Sequence, residues 1–106
     1  MTLIHLDDIE QRELVPGFKV RFVHSQGMTL AYWDIAEGSA LPMHSHSNEQ
    51  IVNVIEGKLE LTVSGEAHVL EPGDVVMLEP DVPHGGKAVT RCRVIDAFHP
   101  VREDYR

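Results

Sequence analysis

The chain has 106 residues, 42% of them hydrophobic and 25% charged, which fits one compact domain over residues 1–106 burying roughly 60 to 70% of its unfolded surface. Seventeen Asp plus Glu against nine Lys plus Arg leave a formal net charge of -8, which argues against nonspecific DNA or RNA binding because phosphate contacts need a basic face. The single Cys92 excludes an internal disulfide, and no apolar run reaches the ~18 residues of a membrane span or builds a signal sequence, so a cytoplasmic protein without membrane contact is expected.

Along the chain, "LDDIEQREL" (6 to 14) is the one stretch able to pass for a helix, with Asp7 or Asp8 as its N-cap and Pro16-Gly17 as its stop. Strand-length runs follow: "FKVRFVH" (18 to 24), "MTLAYWDI" (28 to 35), "QIVNVI" (50 to 55), "KLELTV" (58 to 63), "EAHVL" (66 to 70), "DVVML" (74 to 78) and "TRCRVIDAF" (90 to 98). Turn signals at Gly27, Glu37-Gly38, Glu56-Gly57, Ser64-Gly65, Pro72-Gly73-Asp74, Pro80 to Pro83 and Gly85-Gly86 separate them. In "KLELTV", Leu59, Leu61 and Val63 point one way and Lys58, Glu60 and Thr62 the other, so one face is dry. Seven or more strands at spacings of about 8 to 12 residues predict an all-β sandwich or barrel.

Residues 43 to 57 read "MHSHSNEQIVNVIEG". In a strand, positions i and i+2 share a face, so His44 and His46 present their imidazoles to one point. The same parity continues through Asn48 to Gln50 and puts Glu49 on the opposite side, which favours the amide over the carboxylate as a further metal ligand. Alone, such a pair reads as well as two surface histidines. A third, His84, lies in "PDVPHGG", where Pro80 and Pro83 restrict the backbone ahead of it. His5, His24, His68 and His99 show no comparable clustering.

These residues resemble the cupins, small double-stranded β-helix (jelly-roll) barrels. The first cupin motif, G-x5-H-x-H-x3 or 4-E-x6-G, is met by Gly38, His44, His46 and Gly57, with Gln50 where glutamate is usual. The second, G-x5-P-x-G-x2-H, is looser: the stretch carries Gly73, Pro80 and His84, but Glu79 stands at the usual proline and Asp81 in the turn where glycine is common. The glutamine variant and the stretch "DAFHPVREDY" (96 to 105) are similar to the pectin-degradation KdgF type of small cupin. That resemblance implies ring opening of 4,5-unsaturated uronates, a metal at His44, His46, Gln50 and His84, and Asp96, Phe98 and Arg102 beside it in the pattern D-x-F-x3-R. It also implies a small-molecule, anionic sugar substrate and, as in many single-domain cupins, a homodimer.

Alternation gives these three residues a physical reading. On the strand at 90 to 98, Cys92, Val94, Asp96 and Phe98 share a face; if that face lines the lumen, Asp96 is an interior carboxylate that needs a partner or a shifted pKa. Its plainer reading is a solvated or arginine-paired strand end. Arg102 either holds a substrate carboxylate by two hydrogen bonds or pairs with Glu103, Asp104 or another acid. Phe98 serves equally as core residue and as apolar wall for a sugar. Three imidazoles and an oxygen donor accept Ni(II), Zn(II), Mn(II) or Fe(II). An Fe(II) dioxygenase at the same site and a non-catalytic, metabolite-binding cupin are the rival readings.

Overall fold

A computed structural model describes residues 1–106. Ten strands and two short 3-10 turns make up the chain: β1 (Arg12–Val15), β2 (Phe18–His24), β3 (Thr29–Ile35), β4 (Ala40–His44), β5 (Glu49–Glu56), β6 (Leu59–Val63), β7 (Glu66–Leu70), β8 (Val75–Leu78), β9 (His84–Ala88) and β10 (Cys92–His99). They form a six-stranded sheet, ordered β1-β2-β3-β10-β5-β8, and a four-stranded sheet, ordered β4-β9-β6-β7, with every pairing antiparallel. This is the jelly-roll arrangement.

Alternation decides what lies between the sheets. On β2 the buried residues are Phe18, Val20 and Phe22; on β10 they are Cys92, Val94, Asp96 and Phe98; on β6 they are Leu59 and Leu61. Eleven of the buried residues, from both sheets, form one apolar cluster, and Val20, Phe22, Ala31 and Phe98 form a smaller one beside it. Fully buried members such as Val54 and Leu78 each contribute roughly 1.5 to 3 kcal/mol by leaving water. The two-residue loop Ser64-Gly65 between β6 and β7 has φ of 49° and 83°, the left-handed backbone that lets a tight hairpin follow the strand twist.

Three expectations need correction. The segment 6–14 is no helix: a 3-10 turn covers only Leu6–Asp8, and Arg12–Val15 pairs with β2 as an edge strand. Gly85-Gly86 is not a turn but the middle of β9, paired to β6 and β4. The strand expected to run from His44 to Gln50 is broken. β4 ends at His44 in the smaller sheet, His46 lies in the link, and β5 starts at Glu49 in the larger one.

After β10 a cis His99–Pro100 peptide turns the chain back over the barrel mouth. The tail is tied down at several points. Asn48 Nδ2 donates to Pro100 O (2.6 Å), the Arg102 amide donates to the buried Thr29 Oγ1 (2.9 Å), and Arg12 Nη2 donates to Tyr105 O (2.7 Å). The Tyr105 ring stacks on Phe22 with centroids 4.5 Å apart. No helix is long and apolar enough to cross a membrane.

Candidate metal centre

His44 at the end of β4 pairs directly with His84 at the start of β9, and the link carrying His46 crosses above them. Their ring centroids lie 4.3 Å (His44–His84), 4.9 Å (His46–His84) and 5.8 Å (His44–His46) apart. One nitrogen from each ring falls within 4.8 Å of the others, a group able to hold a metal ion. Asp81, at the family's glycine position, has φ of 67°, and its amide donates to His46 O (2.8 Å), which joins the loop before β9 to the loop carrying His46. Aspartate is among the few residues that tolerate that backbone.

Each imidazole is oriented through its other nitrogen. Nδ1 of His44, His46 and His84 lies 2.9 Å from the carbonyls of Pro42, Asn48 and Val82 respectively. A carbonyl only accepts, so each Nδ1 carries the hydrogen and each Nε2 presents a lone pair. Burial lowers the pKa of His46 and His84, helped at His46 by the Arg102 charge, which keeps both rings in the neutral form a metal requires. His84 Nε2 is buried with no partner.

Gln50 lies beside the three histidines. Its Nε2 donates to Asp96 Oδ2 (3.0 Å), which fixes the amide orientation and turns Oε1 toward His46 Nε2, also 3.0 Å away. Two acceptors facing each other at that distance repel unless a cation lies between them. Adjacent ligands at about 2.0 to 2.1 Å from one ion have that spacing. These residues therefore fit a divalent cation. A glutamate at position 50 would set a second carboxylate against Asp96; the amide satisfies both neighbours at once. Glu49 points out to solvent near His99.

Asp96 lies on the far side of Gln50. Its Oδ2 accepts from Trp33 Nε1 (3.1 Å) and Gln50 Nε2, and its Oδ1 is buried without a partner. Burial pushes its pKa up to about 7, against the two neutral donors and the Arg102 charge, which pull it down. The sequence missed Trp33, although alternation along β3 puts it on the face of Thr29, Ala31 and Ile35.

Arg102 has a buried side chain whose Nε and Nη2 donate to the two oxygens of Asp104 (3.0 and 2.8 Å). Its guanidinium lies 4.8 Å over the Phe98 ring and 4.2 Å over Tyr105. The acid-paired reading of Arg102 is the one observed, with Asp104 as the acid, and the residue also lines the cavity. His44, His46, His84, Gln50, Asp96, Phe98 and Arg102 all border one cavity of about 450 Å³. Asp104 and Tyr105 border it too; the sequence offers Asp104 only as a pairing acid and does not single out Tyr105.

Residues 31–98 match the family model for the Cupin domain. The chain belongs to the cupin family. Among curated cupin relatives, it is 29% identical over 102 residues to the pectin degradation protein KdgF of Dickeya dadantii, covering 93% of each chain. It is 28% identical over 102 residues to H2HPP isomerase of Bacillus subtilis, covering 92% of this chain and 42% of that protein. Among solved structures, KdgF from Halomonas sp. superposes with a TM-score of 0.93 at 25% identity, covering 100% of this chain and 99% of that one. An RmlC-like cupin from Shewanella frigidimarina gives 0.93 at 26% identity, covering 100% and 96%.

Proposed function

We propose that this cupin opens the ring of 4,5-unsaturated uronate sugars, giving linear 4-deoxy keto-uronates, with a divalent metal held by His44, His46, Gln50 and His84. The observation that carries the reading is the buried, partnerless Asp96 Oδ1 on a residue that lines the same cavity as the histidine group. Similarity to KdgF proteins along nearly the whole chain supports the substrate class. When bound, the metal supplies Lewis-acid polarisation of substrate oxygens.

The reaction is an isomerisation and needs no oxidant. The anomeric hydroxyl loses its proton, the bond between anomeric carbon and ring oxygen breaks, and a carbonyl forms at the anomeric carbon. The ring oxygen leaves as an enolate, which becomes a ketone when the neighbouring alkene carbon gains that proton. Asp96 Oδ1 takes the first proton and returns one to carbon. Trp33 and Gln50 hold Oδ2, so the exchanging oxygen is Oδ1, the one left without a partner. A carboxyl that titrates near neutrality serves in both directions. Arg102 receives the substrate carboxylate on the part of its fork that Asp104 leaves free, and Phe98 forms an apolar wall beneath it.

Metal-loaded protein mixed with an unsaturated monouronate is expected to remove the enol-ether absorbance near the ultraviolet edge faster than the spontaneous reaction, and chelator-treated protein to lose that acceleration. No acceleration with either galacturonate- or mannuronate-derived substrate overturns the reading; ligand-dependent stabilisation without turnover would instead mark a metabolite-binding cupin. Pairing of two copies is supported by Ile51, Ile55, Val75 and Met77, which leave an apolar patch on the outer face of the larger sheet, and sedimentation tests it.

A further inference from the structure

The cavity extends past the histidines. Strand register gives its direction: inward positions run His84, Gly86, Ala88 on β9 and Phe98, Asp96, Val94, Cys92 on β10, from the barrel mouth toward the opposite end. The charged and metal-ligating groups cluster at the mouth. Beyond Asp96 the walls are Phe18, Ile35, Leu41, Leu59, Leu61 and Val94. The whole space, about 450 Å³, lies within the range of roughly 300 to 1,000 Å³ typical of pockets that take ligands larger than one sugar ring.

Gly86 keeps this inner chamber open. It sits opposite Leu61 in register, on an inward position where a barrel strand would ordinarily place an apolar side chain. Its backbone is outside the left-handed region, so no conformational demand calls for glycine. A Cβ added there would meet Glu60 O at 3.4 Å, Leu59 Cδ1 at 3.8 Å and Leu61 Cδ1 at 4.0 Å, ordinary contacts that a methyl group accommodates. What the glycine supplies is the room that a larger side chain would fill.

A uronate carries oxygen on nearly every carbon, and the inner walls offer those oxygens no partner. They offer apolar surface instead. We infer that the chamber behind Asp96 is a subsite for the apolar part of a second ligand class, a carboxylate bearing an aryl or short alkyl group, with its carboxylate at the Arg102 end. The inference goes beyond the uronate reading and rests on it only for the carboxylate anchor at Arg102.

Calorimetric binding of acetate, propanoate, 3-phenylpropanoate and 4-phenylbutanoate to the protein as purified tests it, because the common head group cancels across the series. Affinity is expected to rise roughly fourfold per buried methylene, and by more than about tenfold from propanoate to 3-phenylpropanoate. G86V is expected to erase that gain, and G86A to reduce it if G86V does not fold. Equal affinities across the series, or a gain untouched in whichever Gly86 variant folds, overturns the inference. The series reads binding rather than rate, so failure of uronate turnover leaves its outcome separate.

Discussion

Asp34 and Asp96 lie on neighbouring strands of one sheet, β3 and β10, and face opposite ways. Asp34 sits in solvent and accepts both arms of Arg91 (3.0 and 2.8 Å), and that hydrogen bonding holds its carboxyl below the usual range. Asp96 is buried, accepts only from neutral donors, and is pushed up to about 7. The same side chain is held as an anion on one face and pushed toward its neutral form on the other. Solvent and the charge of the hydrogen-bond donor decide between the two outcomes.

Substitution of each carboxylate breaks that contrast most sharply. Asp96→Asn is expected to lower uronate turnover by roughly 10²- to 10⁴-fold, the range of a lost general acid or base, whereas Asp34→Asn should leave steady-state rates within about twofold. Equal losses in both variants would remove the distinction.

The stability of the metal-free protein sharpens it next. Folded Asp96 keeps its proton to about pH 7, while the unfolded chain releases it near the ordinary 3.8. Its contribution is therefore complete below the unfolded value and is lost as pH rises through 7, a change of about 4 kcal/mol. His46 and His84, whose folded pKa values are lowered, act in the opposite sense as pH falls. Urea unfolding of wild type and Asp96→Asn at pH 5 and 8.5 isolates the carboxyl: the variant should gain relative to wild type at the higher pH.

Trp33→Phe removes one donor from Asp96 Oδ2 without touching the histidines. The carboxylate loses support, so the limb of the rate profile that depends on it should move up by about one pH unit. An unmoved profile would mean that the indole only packs. The smallest effect belongs to the exposed pair: Arg91→Ala is expected to leave the urea unfolding midpoint nearly unchanged, with any loss shrinking at high salt.

Much of this frame was legible in the sequence because alternation and turn residues are local signals. β2, β3, β5 to β8 and β10 declare themselves that way, as does the inward position of Asp96. β1, β4 and β9 do not: the first is four residues at an edge, β4 ends in the histidine stretch read as one continuous strand, and β9 carries two adjacent glycines that mimic a turn. Gln50 lies in the cavity although the continuous strand that pointed to it does not exist. The chain changes sheets between His44 and Glu49, and pairing of Gln50 with Phe98 and Leu78 sets its direction. Trp33 on Asp96 is a contact across 63 residues and appears as no pattern along the chain, whereas Arg102 on Asp104 is a near-neighbour pair the sequence offered among several acids.

That Asp96 is held as a proton carrier near neutrality is tested most directly by a ¹³C NMR titration of carboxyl resonances in metal-free protein, with Asp96→Asn assigning the signal. A midpoint near 7 is predicted. A midpoint at or below the ordinary aspartate value would contradict it.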